Sequence, residues 1–358
     1  MVHRNSVLAI VEAFSLIDTS PPNVQALLRL GRGCPAAWAK LAAARLRQTP
    51  KPPGTPAQAF SKTYPHPRAP MSLKKSTIQW ELMLPREFRA AIENRPVCYL
   101  PLGTVEWHGE HDALGLDSLK AHALCVRAAQ QSGGIVHPPL YGGMGGLSKP
   151  ATVKIEDEHT WDNHLLRPWL EKLCAEIHRL GFKGIIMLTG HYGHNQQIVV
   201  RETAARMSER LQIPVLGTPE YWLAHDLGYL GDHAGIGETS LLWHLHPDLV
   251  DIERIDDDPD YGPDGRIKAG SSPELGQRYA TTIVERLARV AEAMPGWDTD
   301  TLAAFIRAER ALVSAQVKGW RTDSAWAAWK KLGEHTGYGQ MLVEGDFAGV
   351  EKLATHLS

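Results

Sequence analysis

The sequence predicts an α/β fold: three layers, with a mainly parallel sheet carrying helices on both faces. Two observations lead there. Short apolar runs at Val97 to Leu102, Lys183 to Leu188 and Ile213 to Gly217 alternate with longer segments of helical periodicity. The run before Leu188 is mostly apolar without alternation, as expected for a strand covered on both sides. Strands alternating with helices make βαβ units, which close into a parallel sheet.

Residues 1 to 70 differ from the rest. Acidic residues nearly vanish after Asp18, while Arg29, Arg32, Lys40, Arg45, Arg47 and Lys51 recur. Pro50, Pro53, Pro56, Pro65, Pro67 and Pro70 then interrupt any core pattern. These features predict a disordered N-terminal extension. Ser6 to Ile17 has the length of a signal-peptide core, but Glu12 breaks it and no small-residue cleavage site follows. Met71-Ser72-Leu73-Lys74-Lys75 reads like a natural beginning.

After the strand at Val97, Leu119, Ala123, Val126 and Ala129 place a helix over Ser118 to Gln131, stopped by Gly133-Gly134. Ile135 and Val136 start a short strand. Tyr141 to Gly146 holds too much glycine for a core element. Leu165, Leu166, Trp169, Leu170, Leu173, Ile177 and Leu180 give the clearest helix, over Trp161 to Leu180. Helices follow at Gln196 to Leu211 and from Pro273 to Met294. The principal domain then spans 71–295. Residues 296–358 read as a helical C-terminal extension. Trp320, Trp326 and Trp329 at helical spacing favour packing, onto the domain or a neighbouring subunit, over nucleic-acid binding.

The chain has 358 residues and a formal charge of -2, which gives no electrostatic case for a nucleic-acid or membrane partner. No apolar run reaches transmembrane length. Cys34, Cys98, Cys125 and Cys174 lie far apart without a CxxC pair, as in a reduced, cytoplasmic protein.

The chemistry concentrates in LPLGTVEWHGEHDALGLD, from Leu100 to Asp117. If Val105 to Gly109 is extended, Glu106 and His108 point to one side. A carboxylate and an imidazole together suit a hard or borderline divalent cation. Asp117 stands at the start of a helix, as its N-cap or facing the site. The other reading of the stretch is a solvated acidic loop with capping residues. His191 also lies just past an apolar strand, and ligands of open α/β sheets bind beyond the carboxyl ends of the strands.

Two later stretches are GIIMLTGHYGHN, Gly184 to Asn195, and DHAGIGETSLLWHLHPDLVD, Asp232 to Asp251. With Glu106, His108, Gly109 and Asp117, with Thr189-Gly190-His191, and with His233-Ala234-Gly235, Glu238-Thr239-Ser240 and Pro247 to Val250, the chain resembles the creatininase family of metal-dependent amidohydrolases. The resemblance runs from about Trp80 to Arg289. It implies hydrolysis of an amide or cyclic amide C–N bond by a metal-bound hydroxide, formed because the cation lowers the pKa of water to about 7. It also implies one or two divalent ions, zinc, manganese or iron. Glu106 and His191 would hold one ion, His108 a second, and Asp117 would bridge them. His233 would protonate the leaving nitrogen, with Glu238 holding the site or relaying protons. Tyr192, Trp222 and Tyr229, with Tyr221 and the Gly142 to Lys149 loop, would meet a small-molecule amide. The resemblance further implies a homo-oligomer, such as a hexamer.

Two departures stand out. Creatininase carries a metal-binding Glu two residues after the His, where this chain has Gly193, followed by an extra His194 before Asn195. One tight ion and a weaker or absent second are therefore expected, with His194 and Glu238 as candidates for the vacated position. Ala151 stands where the family has Gly, a minor change if its φ is negative. A Ser-His-Asp triad is disfavoured because Ser240 sits in no Gly-x-Ser-x-Gly elbow. A non-catalytic metal-binding or assembly protein that keeps the fold is the alternative function.

Overall fold

Four parallel strands form one sheet in the order β2-β1-β3-β4: β1 Val97–Leu102, β2 Ile135–Val136, β3 Gly184–Thr189 and β4 Val215–Pro219. The computed structural model describes residues 78–147, 149–156, 165–262, 265–322 and 337–357. These all belong to one unit, Met71–Ser358. The expectations for residues 1–70, for the side chain of Trp320, for Trp326 and Trp329 and for the start of the Trp161 helix lie outside the described residues.

The helices are α1 Pro85–Asn94, α2 Leu116–Ser132, α3 Leu166–Arg179, α4 His194–Leu211, α5 Ile236–Leu245, α6 Arg266–Gly270, α7 Pro273–Ala293, α8 Thr299–Thr322, α9 Tyr338–Glu344 and α10 Phe347–Leu357. Side-chain alternation along the strands divides the core in two. Val97, Tyr99, Ile186, Leu188 and Leu216 join Leu124 and Ala128 of α2 and Ile283 and Leu287 of α7. Cys98, Leu100, Leu102, Ile185, Met187 and Val215 join Leu170, Cys174 and Ile177 of α3 and Val200 and Ala204 of α4. Both faces are covered, so both sets of alternating positions must be apolar, and the strands read as unbroken runs. The three-layer α/β architecture is thus the one the alternation predicted.

Val105 to Gly109 is not a strand; it is loop. The helix expected to begin at Ser118 begins at Leu116, which brings Asp117 into its first turn. The tail packs on its own unit. Arg201 of α4 and Glu309 of α8 form a buried ion pair at 2.9 Å, and Tyr338 of α9 donates to the other Glu309 oxygen at 2.8 Å. Cys98, Cys125 and Cys174 are buried free thiols. No described helix is long and apolar enough to cross a membrane.

Candidate metal centre

Glu106, His108, Asp117, His191, His233 and Glu238 converge just past the C-terminal ends of β1 and β3. Glu106 and His108 sit on the loop leaving β1, Asp117 in the first turn of α2, and His191 on the loop leaving β3. His233 precedes α5, and Glu238 lies in its first turn. Asp232 fixes that turn by accepting from Gly237 N at 2.7 Å and Glu238 N at 2.9 Å. The loops meet so tightly that two positions need glycine. A Cβ on Gly103 would lie 2.4 Å from Ser118 N, and one on Gly190 would lie 2.1 Å from Asp117 O.

The donor atoms form overlapping groups. His191 Nδ1 is 2.8 Å from Glu106 Oε1 and 3.1 Å from Asp117 Oδ2. His108 Nε2 is 3.2 Å from Asp117 Oδ1 and 3.9 Å from Glu238 Oε2. Glu106–Asp117–His191 and His108–Asp117–Glu238 therefore share Asp117, one oxygen toward each. A third group joins Glu106, His108 and His233, with His233 Nδ1 3.6 Å from Glu106 Oε1.

Each histidine is oriented from behind. His108 Nδ1 donates to Glu106 O at 3.1 Å, His191 Nε2 to Met144 O at 2.8 Å, and His233 Nε2 to Trp107 O at 2.9 Å. A carbonyl only accepts, so these nitrogens carry the hydrogens, and the opposite nitrogens of neutral rings turn lone pairs into the cluster. With the rings neutral, His108 Nε2, His191 Nδ1 and Asp117 Oδ2 are, among the described residues, buried without a hydrogen-bond partner. Buried polar atoms are rarely left so. Imidazole and carboxylate donors aimed at common points fit a zinc-, manganese- or iron-type cation.

The electrostatics without a cation agree. Burial pushes His108 down, but Asp117, Glu238 and Glu106 outweigh it and raise the ring to about 9. Burial likewise opposes His191, and Glu106 and Asp117 lift it well above the ordinary range. Burial would raise Asp117, yet His108 and His191 hold it below the usual carboxylate value. Both rings thus stay protonated at neutral pH in the cation-free protein. Zinc binding at pH 7 should release protons, and apparent affinity should climb as pH rises toward about 9. Calorimetry in buffers of different ionisation enthalpy measures this; binding with no proton release would overturn it. His233 behaves oppositely, since burial, then the neighbouring His108, lowers it to about 4.

The aromatic residues divide. Tyr192 and Tyr229 stand behind Glu238, their hydroxyls 2.6 Å apart, and Tyr192 donates to Glu220 at 2.6 Å. Tyr221 packs edge-on to Tyr192 at 4.8 Å. Trp222 is elsewhere, stacked with Arg201 at 4.2 Å against Tyr338. His194 is buried at the start of α4 and, among the described residues, joins none of the donor groups. Burial lowers its pKa to about 4. Ala151 has φ of 64°, so the condition for a harmless loss of glycine is not met: the residue sits in the left-handed region that glycine favours.

Lys120 and Glu220 were not singled out in the sequence. Lys120, fully buried, contacts Glu238 directly, Tyr192 Oη at 2.9 Å and Glu220 Oε1 at 3.0 Å. Burial disfavours its charge, but Glu220, Glu238 and Asp117 outweigh that and raise its pKa. Its place three residues after Asp117, on the same helix face, was the available signal.

Fold and donors together define the class, an α/β protein with a buried histidine–carboxylate centre. The family model for creatininase, described as creatinine amidohydrolase, matches residues 81–291. By that match, over more than half its length, the chain belongs to the creatininase family. It is 30% identical over 189 residues to the creatinine amidohydrolase of Pseudomonas putida, covering 46% of this chain and 69% of that protein. With the mycofactocin precursor peptide peptidase of Mycolicibacterium smegmatis it shares 28% over 166 residues, 43% of this chain and 60% of that one. A solved mutant creatininase superposes with a TM-score of 0.50 at 23% identity, covering 62% of this chain and all of the other, which speaks to the fold alone.

Proposed function

We propose that this protein is a metal-dependent amidohydrolase acting on an amide or cyclic amide C–N bond in a small molecule. The observation that carries the reading is the pair of donor groups sharing Asp117, with each imidazole fixed by a backbone carbonyl. The names of its relatives support the bond type, since one is a creatinine amidohydrolase and one a peptide peptidase. Residues 71–295 would form the hydrolase domain and 296–358 its helical extension.

Glu106, Asp117 and His191 would hold one ion, and His108, Asp117 and Glu238 the other, so that Glu238 takes the place Gly193 leaves vacant. A bound divalent ion supplies acidity to water and polarises a carbonyl oxygen. The chain supplies the proton traffic. His233 is the most open of the six, with its side chain 30% exposed and Nδ1 turned toward Glu106. Its lowered pKa leaves Nδ1 free to take a proton from the attacking water and return it to the leaving nitrogen. Trp107 O keeps that nitrogen aimed by holding the far side of the ring. The test is turnover on lactams, formamides and simple amides, with metal content measured in the same protein. Hydrolysis that disappears with chelation is expected. Metal-replete protein inert on the whole panel would leave a non-catalytic binding protein.

A further inference from the structure

Lys120 brings a fixed positive charge to the rear of the metal centre. It follows Asp117 by one helical turn, and its ammonium meets Glu238, Glu220 and Tyr192, all buried. Glu238 is fully committed. Its Oε1 faces Lys120, while its Oε2 accepts from Ala234 N at 2.9 Å and looks toward His108 Nε2. Glu106 is different: its Oε1 faces His191, its Oε2 accepts only a backbone N–H, from Leu147 at 3.2 Å, and no lysine or arginine touches it among the described residues. Two of the three orphaned donor atoms, His191 Nδ1 and Asp117 Oδ2, belong to the Glu106 group.

We infer that Lys120 sets the order of metal affinity, sharing Glu238 with the centre so that His108–Asp117–Glu238 is the weaker cation position and Glu106–Asp117–His191 the tighter. The inference rests on the metal reading proposed above. Its physics is competition. An ammonium on one oxygen of a carboxylate withdraws charge from the other, and in a dry interior its repulsion of a second cation is poorly screened. Glu220 moderates this by drawing Lys120 away from Glu238, so the two residues act in opposite directions on the second ion.

The experiment is calorimetric titration of the chelator-stripped full-length protein with zinc alone. The wild type should show two unequal steps. Lys120→Met should tighten the weak step by at least about tenfold and leave the tight step within about threefold. Glu220→Gln, which leaves Glu238 as the one carboxylate in contact with Lys120, should weaken the weak step by a similar factor. Loss of a mere structural support would weaken binding in both variants, so the opposed signs are the readout. Equal steps in the wild type, or a weak step that Lys120→Met fails to tighten, overturn the inference while sparing the metal reading. Should Lys120→Met not fold, Glu220→Gln decides, and a weak step unchanged or tightened overturns the inference. A wild type that takes up no zinc overturns the metal reading and this inference together.

Discussion

Asp117→Ala should empty the centre: metal content drops to background, and turnover drops with it. Asp117 is the residue on which the two donor groups overlap, with one oxygen 3.1 Å from His191 Nδ1 and the other 3.2 Å from His108 Nε2. Its loss leaves each group with two donors, fewer than a tight zinc or manganese site uses. It also removes the charge next to two buried imidazoles, so the rings shed their protons more readily but have no carboxylate to hold a cation with them. Elemental analysis of the purified variant, with circular dichroism to verify the fold, checks this. A folded variant that keeps its full complement of metal would show that the bridge lies elsewhere.

His233→Ala should give the opposite pattern, with metal retained and turnover lowered about 10²- to 10⁴-fold, the usual contribution of a positioned acid or base. His233 stands at the edge of the cluster, stacked on His108 with ring centroids 4.5 Å apart. The two groups that share Asp117 are complete without it. The deficit should shrink for substrates with good leaving groups, which need less help from a proton. If the variant loses metal, the group of Glu106, His108 and His233 is a true ligand set, and the proton carrier must be sought elsewhere. Full activity on an unactivated amide would remove His233 from the chemistry.

What the sequence made legible was what periodicity and strand ends encode. Buried strands appear as apolar runs, so β1 and β3 were found to within a residue or two, and Glu106, His108 and His191 followed as the polar residues just beyond them. Alternation gave the right neighbours for a reason that does not hold here: Glu106 and His108 share a direction on a loop, not on a strand. Lys120 was overlooked, despite its place one turn after Asp117, because a lysine on an amphipathic helix ordinarily faces water. The carboxylates of Glu220 and Glu238, distant in sequence, join Asp117 in making its burial tolerable. Trp222 looked like a pocket aromatic, yet it answers to Arg201 and the C-terminal helices, a contact that joins segments far apart in the chain. The φ of Ala151 was equally hidden, because alanine does not advertise a left-handed backbone.

The backbone of Asp117 is wedged between two bare positions, Gly103 after β1 and Gly190 after β3, with no room at either for even a methyl group. Strand ends and helix start are therefore geared together: a change in one loop's length would be transmitted to donors on the others. The rim is not geared in this way. Trp107 meets Lys149 there at 4.7 Å and Tyr261 at 5.4 Å, and Lys149 and its partner Asp260 are partly exposed. Inheritance can then act on the two parts separately. The frame has no room for a side chain at these two glycines, while the rim side chains are partly exposed, so a substitution at the rim can alter what meets the centre without moving its donors.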